Sequence, residues 1–294
     1  MQKLPDFPWD LLAPYGDKAK KYPDGFIDLS QGTPVDATPR FIQDALSKAS
    51  NSPSYPLTAG SEELRSAIKN FALNTLGVTG EFDVLPTIGS KELIAFLPTF
   101  LQSKTVLYPA VAYPTYLVGA LMASAQPTPV EIDATTWPKA DLAWVNSPSN
   151  PTGQVQSEEQ LLAAINWARK NKSILASDEC YLSFTSTGKS ILALSGGDNS
   201  GLLAVHSLSK RSNLAGYRAA FLIGDSKLID QIRQIRKHAG LMVPLPVQQA
   251  MIAALSENNH AQEQAQRYQV RGVKLKSALV NAGFKIEHSE AGLY

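Results

Sequence analysis

The sequence predicts an α/β fold that is built on a mostly parallel β-sheet. Between residues 83 and 238, short apolar runs alternate with longer helical patterns, which is typical of parallel strands joined by crossover helices. The chain has 294 residues, of which 44% are hydrophobic, so it can bury a large core. Ligands of such sheets lie at the carboxyl ends of the strands. We therefore expect functional residues directly after the strands.

The predicted elements follow one another in chain order. Residues 1–25 contain several prolines and are expected to form an irregular arm. Apolar or alternating runs predict strands at residues 26–29, 83–87, 105–107, 129–132, 142–145, 174–176, 202–205, 219–223 and 284–287. Periodicity and capping residues predict helices at residues 39–49, 61–71, 91–100, 116–123, 157–170, 227–238, 247–255 and 259–281.

Composition and charge exclude several classes of function. The net charge of +1 gives no reason to expect a nucleic-acid or acidic-membrane partner. The uncharged stretch 105–130 is long enough to span a bilayer, but its prolines favour strand, helix and strand instead. A single cysteine, Cys180, and no visible secretion signal predict a cytoplasmic protein. The histidines show no metal-ligand spacing, so no metal site is expected.

A lysine follows the predicted strand at 202–205. Ser207, Ser209 and Lys210 come directly after the strand, and Arg218 lies eight positions beyond the lysine. Lysine at such a place can form a Schiff base with a carbonyl cofactor, and hydroxyls with a guanidinium suit a phosphate. These groups together favour pyridoxal phosphate (PLP). A surface loop with ordinary charges is the alternative interpretation.

Four further motifs follow predicted strands. The helix start at residues 89–91 can bind an anion through free N–H groups or can be a plain N-cap. Tyr113 can stack on a flat ring or pack in the core. Asn150 offers an amide, or belongs only to a turn. Asp178 follows an apolar run and needs a partner such as a pyridinium, although a metal ligand or a helix cap is also compatible.

The motifs together resemble the class I and II aminotransferases of PLP fold type I. The strings are GSK, AYPTY, NPTG, SDECY and SLSK followed by an arginine, and the resemblance runs from about residue 28 to residue 294. More narrowly, strings such as LSQGTPVD, ASDECYLSF and GFKIEHSEAGLY are similar to the DapC-type succinyldiaminopimelate aminotransferases of actinobacteria.

The resemblance implies three segments. Residues 1–35 would form an N-terminal arm and part of a small domain, residues 36–257 the large PLP-binding domain with its mostly parallel sheet, and residues 258–294 the start of a C-terminal small α+β domain. The family closes that small domain with further elements, which supply an arginine for the substrate α-carboxylate. Because the sequence ends before them, we expect the small domain to be incomplete and the chain to be a fragment.

The resemblance also assigns roles to single residues. Lys210 would hold PLP as a Schiff base and then act as the general base, while Asp178 would pair with the pyridine nitrogen and Tyr113 would stack on the ring. The phenolic oxygen would bind Asn150 and Tyr181. The phosphate would bind Gly89, Ser90, Lys91, Ser207, Ser209 and Arg218, with Tyr55 reaching the other subunit of a homodimer. Gly32 and Asn150 would contact the substrate.

The expected activity is transfer of an amino group to a 2-oxo acid. The resemblance favours N-succinyl-LL-2,6-diaminopimelate as the donor and 2-oxoglutarate as the acceptor, in lysine and diaminopimelate synthesis. Alternatives are an aspartate, alanine or aromatic aminotransferase or a C–S lyase of the same fold. A PLP-binding protein that is inactive because it lacks the C-terminal segment is a further alternative.

Overall fold

A computed structural model describes residues 4–293, and a single mixed sheet forms its centre. The seven strands are β1 (Asp83–Ile88), β2 (Thr105–Pro109), β3 (Gln126–Val130), β4 (Leu142–Asn146), β5 (Ile174–Asp178), β6 (Leu202–Ser207) and β7 (Ala219–Gly224). Their order in the sheet is β1-β7-β6-β5-β4-β2-β3. Strand β7 runs antiparallel to both neighbours, and the remaining pairs are parallel. The predicted mostly parallel α/β fold is confirmed.

Helices cover both faces of this sheet. They are α1 (Pro8–Ala19), α2 (Arg40–Lys48), α3 (Glu62–Phe71), α4 (Ser90–Phe100), α5 (Thr115–Met122), α6 (Glu158–Asn171), α7 (Leu208–Arg211), α8 (Ser226–His238), α9 (Leu245–Ser256) and α10 (Asn259–Asn281). Short 3₁₀ helices lie at Ala134–Thr136, Leu182–Phe184 and Ala215–Tyr217, and a short π-helix follows α3 at Ala72–Leu76. The predicted cap of α6 is present as a full capping box between Ser157 and Gln160.

The core divides into two layers because successive strand residues point to opposite faces. In β6, Leu202 and Ala204 belong to the layer that includes α2, α3, α6 and α9, whereas Leu203 and Val205 belong to the layer with α4, α5 and α8. All four side chains are buried. Burial on both faces makes the strand a continuous apolar run, and such runs made the central strands predictable from the sequence.

Two predicted strands are wrong. Residues 26–29 and 284–287 form no strand, and Ile27 and Phe284 are 85% and 62% exposed. Both runs alternate in the sequence, but a strand exists only where a neighbouring strand satisfies its backbone groups. Neither run pairs with a strand in the described part of the chain.

Two other predictions need smaller corrections. The strand expected at residues 129–132 lies at Gln126–Val130, where two prolines are tolerated because β3 is an edge strand that pairs only with β2.

The arm expected to be irregular contains α1. Its Pro8 occupies the first helical turn, where a missing N–H has no cost, and Asp10 and Lys18 carry the charges that suit the two ends.

The uncharged stretch 105–130 folds as β2, α5 and β3, as its prolines indicated. Across residues 4–293, no helix combines the length and apolar character that crossing a membrane requires.

Hydrogen bonds from helix α10 hold the segment before α2 in place. Both oxygens of Asp36 accept hydrogen bonds from Arg271, at 2.6 and 2.7 Å, and Gln264 Nε2 donates to Asp36 at 2.8 Å. These donors, with the positive charge of Arg271, lower the pKa of Asp36 to about 2. The carboxylate is therefore ionised at neutral pH and fixes the position of the chain between Gly32 and α2.

Candidate active site

The sequence motifs meet at one edge of the sheet. Strands β4, β5 and β6 end side by side there, with Asn146 opposite Asp178 and Asp178 opposite Val205. Ile88 at the end of β1 pairs with Ala219 at the start of the antiparallel β7. The segments that follow β1, β4, β5 and β6 and the segment that precedes β7 therefore all converge.

Lys210 lies on the short helix α7 directly after β6. Ser207 caps this helix, because its Oγ accepts a hydrogen bond from the Ser209 backbone N–H at 3.1 Å. The ammonium of Lys210 donates to the carbonyl oxygen of Gly32. Burial lowers the pKa of Lys210, and the charge of Arg218 lowers it further, against an opposing effect of Cys180. A lowered pKa raises the fraction of neutral, nucleophilic amine at neutral pH.

Asp178 is a buried carboxylate at the end of β5, 6% exposed. Tyr116 donates its hydroxyl proton to Oδ2 at 2.8 Å, and the Cys180 backbone N–H donates to Oδ1 at 3.1 Å. Burial raises the pKa of Asp178, and these hydrogen bonds oppose the rise. A carboxylate with two oxygens can accept further bonds, so this group can still receive an N–H from a ligand.

Asn146 organises the loop that carries Asn150. Its Nδ2 donates to the carbonyl oxygens of Asp178 at 2.9 Å and Pro148 at 3.1 Å, and its Oδ1 accepts from the Asn150 backbone N–H at 2.7 Å. The Ser147–Pro148 and Asn150–Pro151 peptide bonds are cis. The loop is thus tied to the end of β5, beside Asp178.

The start of α4 and the side chain of Arg218 form what we call the anion cradle, which consists of residues 89–91 and Arg218. Gly89 has φ 76° and ψ 159°, and a Cβ atom there would lie 2.1 Å from Nη2 of Arg218. The guanidinium also donates from Nη1 to the Ala215 carbonyl at 2.8 Å. The Gly89 N–H donates to the carbonyl oxygen of Thr87 at 2.9 Å, whereas the N–H groups that follow it at the helix start and the guanidinium are complementary to a phosphate.

Aromatic rings lie around the exposed Lys91 side chain. The Lys91 ammonium lies 4.5 Å from the ring centroid of Phe7, 5.8 Å from that of Trp9 and 6.0 Å from that of Tyr113. Burial lowers the pKa of Lys91, and the nearby Arg218 adds to this effect. Tyr113 itself contacts Tyr116 edge-on, with 6.2 Å between the ring centroids.

Of the predicted site residues, Tyr181 is buried and Tyr55 is exposed. Tyr181 is 6% exposed and follows Asp178 by three positions. Tyr55 lies on the loop between α2 and α3 with 92% of its surface exposed, so it is available to a second molecule.

Sequence reasoning missed Tyr116 and Asn146. Both stand inside or next to the motifs that follow strands, but their hydrogen bonds reach the end of β5 from other elements, Tyr116 from α5 and Asn146 from the end of β4.

The donors and acceptors fit PLP. That cofactor needs an amine for its aldehyde, an acid for its ring nitrogen and donors for its phosphate. Lys210, Asp178 and the anion cradle supply these groups at one sheet edge. The absence of a side chain at Gly89 leaves the space that Arg218 occupies.

Comparisons with known proteins agree with this geometry. The family model for aminotransferase class I and II matches residues 24–294. The 4-dedimethylamino-4-oxo-anhydrotetracycline transaminase OxyQ of Streptomyces rimosus is 46% identical over 304 residues, which cover 100% of this chain and 84% of that protein. An LL-diaminopimelate aminotransferase of Dehalococcoides mccartyi is 32% identical, covering 91% of this chain and 75% of that protein.

A solved structure from Thermus thermophilus, described as a probable N-succinyldiaminopimelate aminotransferase, has the same fold. Its TM-score is 0.85 at 26% identity, over 93% of this chain and 80% of that one. The family match and the identity to OxyQ extend over nearly the whole chain. This chain therefore belongs to the class I and II aminotransferases, which are PLP-dependent transaminases.

Proposed function

We propose that Lys210 holds PLP and that this chain moves an amino group between an amino acid and a 2-oxo acid. When bound, PLP supplies an electron sink for the negative charge that develops on the substrate Cα. Lys210 moves the proton between Cα and the cofactor carbon. Asp178 keeps a proton on the ring nitrogen, and Asn150 and Tyr181 hydrogen-bond the phenolic oxygen. Tyr113 packs on the ring, and Gly32 lies by the substrate carboxylate.

The observation that carries this proposal is that Lys210, directly after β6, and Asp178, at the end of the neighbouring β5, lie at the same edge of the sheet. The amine is partly buried with a lowered pKa, and the acid is buried with hydrogen-bond capacity left. The anion cradle, together with Ser207 and Ser209, is proposed to hold the phosphate beside them.

Variants of these two residues test the assignment. Lys210→Ala should abolish the visible absorption of the lysine-bound cofactor as well as turnover. Asp178→Asn should still bind the cofactor, but turnover should collapse because the ring nitrogen loses its proton partner. Near-normal turnover of Asp178→Asn would refute the role of Asp178. If the wild-type chain binds the cofactor but an amino donor never converts it to the pyridoxamine form, the chain is a binding protein without turnover.

For the substrate, we propose N-succinyl-LL-2,6-diaminopimelate, with 2-oxoglutarate as the acceptor. Support comes from the sequence resemblance and from the Thermus structure. The exposed Lys91 ammonium adds support, since it can pair with a carboxylate at the far end of a long substrate. OxyQ is named for a different substrate, 4-dedimethylamino-4-oxo-anhydrotetracycline.

A substrate panel tests this choice. We expect kcat/KM for N-succinyl-LL-2,6-diaminopimelate to exceed the values for LL-diaminopimelate, aspartate, alanine and phenylalanine. Lys91→Met, which keeps the length of the side chain without its charge, should raise KM for the succinylated donor more than for alanine. A higher kcat/KM for alanine or an aromatic donor would overturn the substrate assignment and leave the transaminase assignment intact.

We further propose a homodimer in which Tyr55 reaches the phosphate of the partner subunit. The 92% exposure of this side chain supports the proposal. Sedimentation of the cofactor-loaded chain should give the mass of a dimer. Tyr55→Phe should raise the Kd for PLP while the two subunits stay associated. A monomer with normal cofactor affinity would contradict both statements. The domain boundaries at residues 35 and 257 and the cytoplasmic location stay predictions from the sequence.

A further inference from the structure

Tyr116 is a fully buried phenol at the base of the candidate active site. It lies on α5, with no exposed surface, and its hydroxyl donates to Oδ2 of Asp178 at 2.8 Å. Its ring packs against Trp144, with 5.2 Å between centroids, and meets Tyr113 edge-on. These contacts hold the ring on two sides, with its hydroxyl directed at the carboxylate.

The direction of this hydrogen bond follows from the charges around it. Burial raises the pKa of Tyr116 well above its usual value, and the negative charge of Asp178 raises it further. The phenol therefore keeps its proton and acts as the donor. In turn, the hydrogen bond favours the ionised form of Asp178 and opposes the effect of burial on the pKa of that carboxyl group.

A second donor occupies the other oxygen of the carboxylate. The Cys180 backbone N–H bonds to Oδ1 at 3.1 Å, and the charge of His206 also favours ionisation of Asp178. His206 pairs with Glu179, with 3.1 Å between Nε2 and Oε2. The side chains of Tyr116 and Cys180 both contact the carboxylate directly, and removal of the Tyr116 hydroxyl changes Asp178 without removing the acid.

We propose that Tyr116 is a positioning residue for amino transfer, whose hydroxyl orients Asp178 and sets how firmly that carboxylate holds the proton at the cofactor ring nitrogen. The inference rests on the proposed role of Asp178. The proton of Tyr116 stays on its oxygen throughout, and no bond to Tyr116 forms or breaks. Its effect reaches the substrate through Asp178 and the ring alone.

Tyr116→Phe tests the inference, because it removes the hydroxyl and keeps the ring. With PLP labelled with ¹⁵N in the ring, the ¹⁵N shift of the loaded variant should move toward that of an unprotonated pyridine, because Asp178 becomes more basic without the hydroxyl and takes a larger share of the ring proton. For the same reason, the carboxylate and the ring together should lose this proton at a higher pH than in the wild type. We expect kcat to fall by about 10- to 100-fold, the loss of one hydrogen bond to a charged group, with little change in KM. An unchanged ¹⁵N titration would overturn the inference.

A double variant and a matched control separate this role from general packing. In an Asp178→Asn background, Tyr116→Phe should cause little further loss of kcat, because both changes act on one interaction. Tyr268→Phe removes the hydroxyl of another buried tyrosine, one that contacts Asn213 instead, and should leave the ¹⁵N signal unchanged. Fully additive losses in the double variant would contradict the inference.

A measurement on the wild-type chain covers the case in which Tyr116→Phe fails to fold. With ¹³Cζ-labelled tyrosine, the Tyr116 signal should shift when PLP is added to the cofactor-free chain, because Asp178 then shares its charge with the ring N–H. No shift at Tyr116 would refute the coupling. If the wild-type chain bound no PLP at all, the proposed function itself would fail, which is a different result.

Discussion

Replacing Gly89 with alanine would place a methyl group inside the anion cradle. The backbone at Gly89, with φ 76° and ψ 159°, lies in a region that is essentially restricted to glycine. The new Cβ would lie 2.1 Å from Nη2 and 2.7 Å from Cζ of Arg218. The guanidinium is the far end of a flexible side chain, so we expect it to move away and not to break the fold.

Gly89→Ala should act in two separate ways, on the stability of the cofactor-free chain and on the affinity for PLP. Backbone strain at Gly89 costs about 1–3 kcal/mol and acts on the free energy of unfolding of the cofactor-free chain. Displacement of Arg218 removes a hydrogen bond to a charged phosphate, which is worth about 1.5–3 kcal/mol. Since each 1.4 kcal/mol changes an equilibrium constant about tenfold, the Kd for PLP should rise about 10- to 100-fold.

Two measurements resolve these contributions. Titration of the cofactor-free chain with PLP, followed by absorbance, gives the Kd, and urea denaturation without PLP gives the stability. Gly272→Ala is the matched control, because a Cβ at this position on exposed α10 meets nothing within 4 Å. It should leave the Kd unchanged. A wild-type Kd for Gly89→Ala would refute the assignment of the cradle to the phosphate.

Two further predictions concern stability and pH. The pKa of Asp36 is lowered to about 2 by its bonds to Arg271 and Gln264. Its stabilising effect is therefore fully present above the usual pKa of about 4 and is lost as the pH falls toward 2. Asp36→Asn should be less stable than the wild type at pH 7 in urea denaturation, and the difference should vanish near pH 2; a constant difference would contradict the assignment. Burial lowers the pKa of His260, against the opposing effect of Glu257, so the unfolded chain takes up this proton first as the pH falls. Stability should drop below about pH 6.5 in the wild type and less so in His260→Gln; equal pH profiles would show that His260 does not contribute.

Parts of the fold and of the site could be predicted because their signals are local. The central strands are buried on both faces and read as apolar runs, as in β6 and β7. The cap of α6 at Ser157 is set by residues within one turn. The motifs around Asp178 and Lys210 each follow a strand directly, and parallel strands bring their ends together.

The rest could not be predicted because it depends on contacts between distant residues. The carbonyl of Gly32 meets Lys210, which is 178 positions away along the chain. The bond between Tyr116 and Asp178 joins a helix to a strand end across 62 positions. The alternating run at residues 284–287 has the pattern of a strand, yet strand pairing requires a neighbour that the local pattern does not specify.

Borohydride reduction of the PLP-loaded chain, followed by peptide mass spectrometry, tests the central claim most directly. Reduction fixes the cofactor to the lysine that holds it, so the modified peptide identifies that residue. We expect the cofactor on Lys210, and no modification of that peptide in Lys210→Ala. Stoichiometric labelling of Lys91, the other lysine at this site, or the same labelling of the Lys210→Ala variant would contradict the account.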